Sequence, residues 1–481
     1  MGGGHLFDGY ETDPAFYDEM FDDAGTPREH CRELWTALGG MTHVEVANMQ
    51  ERAERSFLQD GITFSVYDEK GAQERIIPID VLPRLIDADD WNFIERGLRQ
   101  RLEALNLFLA DIYGPGRILE DGVIPVDLVR DCSQYRIDMR GIRVPHGTYV
   151  CVCGTDLVRT RDGFLVLEDN LRVPSGVSYM LANRRTVKTS LRNLFRRHRV
   201  RSIEHYGTLL RQTLAELAPN GISDPCIVLL TPGVHNSAFY EHMFLAREMG
   251  VELVEGRDLL VHNGFVYMRT TGGLRRVDVI YRRIDDDFLD PLAFRPDSQL
   301  GTSGLFYAYR LGNVAIANAP GTGVADDKSV YAYVPDMIRY FLNEEPLLAN
   351  VETHLCRDPE QMEYTLDNLD QLVVKVVGGS GGHGMLVGPH ATPAERAAYA
   401  EEIRKNPANF ISQPTLDLSC APCLTDDGTA PRHVDLRPFV LRGRETHLVP
   451  GAFCRVALTP GSLVVNSSQG GGGKDLWVLS A

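Results

Sequence analysis

Apolar residues recur at three- and four-residue steps through Ile94, Leu98, Leu102, Leu105, Leu109 and Ile112. This spacing predicts a core-facing helix over 89–113, stopped by Gly114-Pro115. Residues 28–54 also read as helix, and 62–67 (ITFSVY) and 75–79 (RIIPI) as short strands. Residues 149–152 and 164–167 are strand-like and flank Asp162-Gly163, a hairpin reversal. Beyond Gly176, residues 177–198 predict a helix. Near 219–225 the pattern changes to strand (CIVLL, 226–230), turn, helix (237–249, ended by Gly250) and strand (251–254). That succession predicts a small doubly wound unit with a parallel sheet, running to about residue 319. Residues 1–30, rich in Asp, Gly and Pro, are expected to be a loosely held arm.

Composition narrows the function classes. The 481 residues are enough for two or three domains with sizeable cores. The net charge of −17 opposes general affinity for nucleic acid or an anionic membrane surface, though not a local basic pocket. No apolar run is long enough to span a bilayer, and the N-terminus lacks the layout of a signal peptide. Nine cysteines without regular spacing fit a reduced, cytoplasmic chain. Cys420 and Cys423, split by Pro422, have no second pair at zinc spacing and are not expected to bind metal.

The densest chemistry lies at 164–176, FLVLEDNLRVPSG. Side chains alternate along a strand, so Glu168 and Asn170 share a face and Asp169 takes the other. Folding the hairpin brings Asp156 (in GTDLVR) beside Glu168. Two carboxylates and an amide oxygen at a strand end suit Mg²⁺, although a solvated strand end would look the same. The basic residues of 177–198 are either a solvated face or counter-charges. Arg282, Arg283 and Asp285 follow an apolar strand where ligands of parallel sheets collect, and are candidate substrate contacts or a plain strand exit.

Two stretches pair lysine with glycine. Residues 318–328 (NAPGTGVADDK) run into a helix carrying Lys328. In VVKVVGGSGGHG, Lys375 precedes five glycines within 378–384. Glycine lets amides approach an anion and form a phosphate nest, with Lys375 as fixed positive charge. No G-K-[ST] closes these glycines, so this is not a Walker loop. Residues 410–415 (FISQPT) look like a hinge for a flat base. Arg437, within VDLRPFVL, needs an anionic partner. Four glycines before Lys474 read as a second phosphate-side loop.

Together GTDLVR…LEDNLRVPSG, GVADDK, VVKVVGGSGGHG, DLRPFVL and NSSQGGGGKD resemble the circularly permuted ATP-grasp proteins, relatives of glutathionylspermidine synthase and eukaryotic glutathione synthetase. The resemblance implies an α+β fold: two ATP-grasp subdomains, circularly permuted, with an inserted Rossmann-like α/β pre-ATP-grasp domain. The implied division is 1–130 (N-terminal arm and helical part), 131–200 (first ATP-grasp segment with the Mg²⁺ hairpin), 201–320 (Rossmann-like substrate domain) and 321–481 (nucleotide-binding segment). It further implies Asp156, Glu168 and Asn170 as Mg²⁺ ligands and Lys328 and Lys375 on the nucleotide phosphates. Gly378, Gly379, Ser380, Gly381, Gly382, His383 and Gly384 become a phosphate lid, and Gln413 the adenine hinge. Arg437, Arg455 and Lys474 are implied as catalytic anion contacts, with Ser175, Arg282, Arg283 and Asp285 toward substrate. The glutathione synthetases carry a metal-binding Glu in the glycine loop, where this chain has Ser380 and His383.

The implied activity is an ATP- and Mg²⁺-dependent carboxylate–amine ligase working through an acylphosphate on a peptide or amino-acid-like substrate. Asp169 is a candidate proton acceptor. The alternatives are a nucleotide-gated binding subunit or a phosphotransferase to a hydroxyl. A homodimer or association with peptide-handling proteins would fit the family.

Overall fold

The computed structural model describes residues 5–68, 71–219, 221–379, 384–426, 428–465 and 471–481; Ser380, Gly381, Gly382 and His383 of the expected lid lie outside them. The central element is an eight-stranded sheet. Its order is Ala349–Asn350, Gly163–Asn170, Val152–Thr160, Gly428–Arg442, Thr446–Val456, Gly472–Val478 and Ile79–Ile86, with Cys420–Thr425 pairing to Gly428–Arg442. The sequence reading placed a strand at 75–79 but missed Ile79–Ile86. That strand mixes Asp80 and Arg84 with Leu82 and Ile86 at alternate positions and contains Pro83, so it shows no clean period of two, and it is buried throughout.

The 25-residue helix Ala88–Ile112 lies where its stripe predicted, capped by the Asp87 carboxylate accepting from the Asp90 amide. Its buried side chains belong to the largest apolar cluster, which also takes in both strands of the Val152–Asn170 hairpin. A four-stranded sheet, His354–Leu355, Phe410–Pro414, Leu372–Val376 and Met385–Val387, is antiparallel and carries its own small core with helix Pro393–Lys405.

The expected parallel sheet is present: Ala315–Ala317, Val279–Arg282, Ile227–Leu230 and Glu252–Val254. The Asn318 side chain joins it to the hairpin. Its oxygen accepts from the Cys151 and Val152 amides at 2.7 and 2.8 Å, and its nitrogen donates to the Val152 and Leu171 carbonyls at 2.7 and 2.8 Å. Four backbone groups between two sheets are thereby satisfied without water.

One expectation is corrected. The start of the chain is not a loose arm: Leu6, Phe7, Met20 and Phe21 are buried, and Glu19 pairs with buried Arg84 at 2.5 Å. The apolar residues among its acids, too few to show a period, dock on the sheet. Among the basic residues of 177–198, Arg184 is a structural counter-charge buried against Asp475 at 3.0 Å, while Arg185 and Lys188 are half-exposed and paired with Glu248 and Glu204. Among the described residues no helix is long and apolar enough to cross a membrane.

Candidate active site

The hairpin pairs Asp156 with Glu168 in register, with a bulge just after Asp156. Alternation then does what strand geometry requires. Glu168 opens into a cleft of about 640 Å³ that is also lined by Lys328, Lys375, Arg437 and Arg455. Asp169 turns into the protein, where the Arg101 guanidinium holds it at 2.7–3.0 Å and Thr155 donates to it. Asp169 is therefore not a free proton acceptor.

Asp156 is committed as well. Arg437 binds both its oxygens, and Arg455 donates to Oδ2 at 2.6 Å. Arg455 also holds Asp435. The alternation Asp435, Leu436, Arg437 puts acid and base on one sheet face, and the partner strand places Arg455 opposite Asp435. The result is a buried ladder, Asp435–Arg455–Asp156–Arg437, whose last member stands 3.9 Å from Glu168. Burial pushes the Asp156 carboxyl up, but the Arg437 and Arg455 guanidiniums outweigh it and hold the group well below the usual carboxylate range. The Arg437 Nη1 donates to the Ser175 carbonyl at 3.2 Å, and Ser175 lines the cleft. Gly176, at φ +118°, makes this turn possible: a Cβ there would stand 2.8 Å from Phe453.

Across the cleft, Lys328 reaches the Gly379 carbonyl and stands 3.9 Å from Glu168. Its helix is capped by Asp327, and the preceding Asp326 is held by Arg172 at 2.9 Å while burial raises its carboxyl to about 6. Lys375 ends strand Leu372–Val376, and its ammonium donates to the neutral Gln413 Oε1 at 2.7 Å. Burial pushes this ammonium down to about 8, with Glu168 pulling the other way. A desolvated cation facing an amide is underpaid electrostatically and is a ready seat for an anion. Gln413 itself is buried and does not line the cleft; its amide donates to Thr353 at 3.0 Å, so its side chain orients Lys375 rather than facing a base.

Two expected contacts lie elsewhere. Lys474 is fully buried on the central sheet, bound to Asp80 at 2.8 Å and to the Leu82 and Pro422 carbonyls. Of the four glycines before it, Gly470 lies outside the described residues, and Gly472 and Gly473 serve strand packing: a Cβ there would stand 2.9 Å from the Pro78 carbonyl or 2.8 Å from Asn183. Arg282 is spent on Asp286 and on the Asn318, Ala319 and Ile284 carbonyls. Arg283 and Asp285 do line the cleft, Arg283 already bound to Glu241 at 2.9 Å and to the Pro174 carbonyl. Gly378 is exposed, Gly379 borders the cleft, and Gly384 takes φ +67°.

The donor set fits a metal nucleotide. Glu168 is one-third exposed and, among the described residues, has no cation closer than 3.9 Å; Asn170 spends its nitrogen on the Gly154 carbonyl, leaving the amide oxygen as acceptor. Those two oxygens, rather than Asp156, suit Mg²⁺, whose remaining positions go to phosphate and water. Among the described residues no cluster of three or more His, Cys, Asp or Glu forms a metal cage, Cys420 and Cys423 included. Sequence reading passed over Asp435, Arg172, Asp326 and Arg101. The first three lie within the quoted motifs, and Asp435 was signalled by its alternation with Arg437.

The Lys375 environment yields a pH prediction. The protonated amine binds a polyphosphate, so affinity for a nonhydrolysable ATP analogue is expected to fall as pH rises through about 8. Titration calorimetry checks this, and Lys375→Arg should remove the falling limb.

A family model described as circularly permuted ATP-grasp type 2 matches residues 83–457. An uncharacterized protein of Synechocystis sp. is 53% identical over 97% of this chain and 98% of its own length. A Frankia alni protein named putative glutamate–cysteine ligase is 44% identical over 97% of this chain, which spans 54% of that protein. Among solved structures, the apo form of a glutathione synthetase-like effector from Globodera pallida has the same fold, with TM-score 0.56 at 12% identity, covering 90% of this chain and 96% of that one.

Proposed function

Because the chain belongs to the circularly permuted ATP-grasp type 2 family, we propose that it is an ATP-dependent ligase joining a carboxylate to an amine on an amino-acid-like or peptide substrate. The observation that carries this reading is the meeting of Glu168, Lys328 and Lys375, from separate sheets and loops, on one cleft. The glutathione synthetase-like fold and the name of the Frankia relative support the bond class.

In this reading Lys375 and Lys328 hold the triphosphate, and Glu168 with Asn170 hold Mg²⁺. The metal, when bound, neutralises charge on the phosphate oxygens. Arg437, braced by Asp156 and the Ser175 carbonyl, faces the reacting carboxylate. A carboxylate oxygen attacks the γ-phosphorus of ATP, the bond to the β-γ bridging oxygen breaks, and ADP leaves with that electron pair. The amine nitrogen then attacks the acyl carbon of the acylphosphate. The carbon–oxygen bond to phosphate breaks, inorganic phosphate departs, and the nitrogen gives up a proton. Because no enzyme nucleophile takes part, the chain contributes position and charge.

The test is a phosphate-release screen of amino acids, polyamines and short peptides in pairs, with ATP and Mg²⁺. Release of ADP and phosphate that requires both a carboxylate and an amine is the expected result. A phosphorylated product without free phosphate would indicate a phosphotransferase. ATP binding without ADP formation across the panel would indicate a binding subunit.

A further inference from the structure

The two walls of the cleft differ in charge, and the difference bears on what the α/β side holds. Of its acidic lining residues, Asp156, Asp169, Asp326 and Asp435 each have a guanidinium nitrogen within 3 Å. Only Glu168 and Asp285 stand no closer than 3.9 Å to the cations paired with them among the described residues. Glu168 faces the two lysines. Asp285 sits on the opposite wall, beyond the carboxyl end of strand Val279–Arg282, with its side chain half exposed.

Asp285 occupies the N-cap position of helix Asp286–Leu289, where an Asp side chain ordinarily accepts an amide proton, yet it makes no side-chain cap bond. Its nearest guanidinium, Arg172, is 4.0 Å away and already bound to Asp326 at 2.9 Å. Among the described residues the rest of this wall offers no unpaired charge: Arg283 is bound to Glu241, Asn236 and Ser237 are neutral, and Phe288 and Leu300 are apolar. His242 accepts or donates one bond with Thr231, and burial, helped by Arg283, keeps it neutral.

The geometry points to Asp285 as the seat of a primary ammonium belonging to a substrate with an uncharged, partly apolar body. An acidic body would meet on this wall only Arg172 and Arg283, already bound to Asp326 and Glu241, whereas an amino-acid amide or a peptide N-terminus would pair with Asp285 and pack on Phe288 and Leu300. The inference rests on the ligase reading only in calling that ligand a substrate. The ammonium is either the acceptor amine or the free α-amine of the carboxylate donor.

Titration calorimetry without ATP tests the seat, using L-phenylalaninamide, its deaminated isostere 3-phenylpropanamide, and L-glutamate. Phenylalaninamide is expected to bind at least roughly tenfold more tightly than either of the others, in line with a charge-assisted bond of about 1.5–3 kcal/mol. Asp285→Asn should erase the advantage over the isostere while ATP-analogue affinity stays within about twofold, as expected for a fold left intact. Equal binding of amide and isostere by the unaltered protein, no phenylalaninamide binding, tighter glutamate binding, or an advantage that survives Asp285→Asn would each overturn the seat. With ATP and Mg²⁺, coupling of phenylalaninamide to an added acid marks the acceptor amine. Formation of phenylalanine hydroxamate from phenylalanine and hydroxylamine marks the donor's own amine, and either product supports the seat. Absence of ADP in every pairing sinks the ligase reading but leaves the binding comparison standing.

Discussion

Lys375→Ala is expected to lower ATP-dependent turnover by roughly 10²–10³ in kcat/KM, the range for removing one preorganised charge donor from a developing anion. The Lys375 ammonium is desolvated, and Gln413, its hydrogen-bond partner in the structure, is neutral, so an arriving phosphate supplies the counter-charge. A cation prepared in this way is worth more than an exposed one, because little water must be displaced when the anion binds. The loss should fall mainly on kcat if the lysine meets charge that grows during transfer, and on KM for ATP if it serves the ground state equally. Steady-state kinetics on the substrate pair found in the screen separates these. Unchanged turnover would remove Lys375 from the nucleotide site. Gln413→Leu, which leaves the ammonium in place but unsupported, should cost less than Lys375→Ala.

The site was legible where chemistry and local geometry coincide. A hairpin with a two-residue turn brings Asp156 near Glu168, the bulge after Asp156 sets the two directly opposite, and strand alternation sends Asp169 away from them. The lysine before a run of glycines likewise placed Lys375 at a strand end beside the cleft. What local pattern does not carry is the partner of each charge. Asp156 looked like a metal ligand because Arg437 and Arg455, nearly three hundred positions away, are invisible to its neighbours in sequence. Lys474 misled for a related reason. Glycines before a lysine describe a phosphate loop and also a crowded inner strand, and only contact with Asp80 and Pro78 separates the two. The arginines at 282 and 283 read as ligand contacts or a plain strand exit because they follow an apolar strand where ligands of parallel sheets collect; both are paired inside the protein.

The ladder behind the cleft leads to the second large effect. Arg455→Met is expected to destabilise the fold by about 3–5 kcal/mol, the range for removing one partner of a buried ion pair. Asp156 keeps Arg437, but the fully buried Asp435 loses the guanidinium that, among the described residues, is bonded to its carboxylate. Burial already raises the Asp435 carboxyl against Arg455, and without that arginine it should take up a proton to remain inside. The two proteins should then respond oppositely to pH. In the unaltered chain the depressed Asp156 carboxyl contributes stability that is full above its unfolded value of about 3.9 and is lost as pH falls below it. In the variant the raised Asp435 carboxyl opposes folding at neutral pH, so its deficit relative to the unaltered chain should shrink as pH falls toward 5. Urea unfolding midpoints at pH 7, pH 5 and pH 3 measure both, the first pair reading the variant's deficit and the last the loss in the unaltered chain. Adding Asp435→Asn to Arg455→Met removes the stranded charge and should restore part of the loss, since the pair's cost lies in the unpaired survivor. A single variant with an unshifted midpoint, or a double variant no better than the single, would mean that the ladder does not hold the sheet together beneath the cleft.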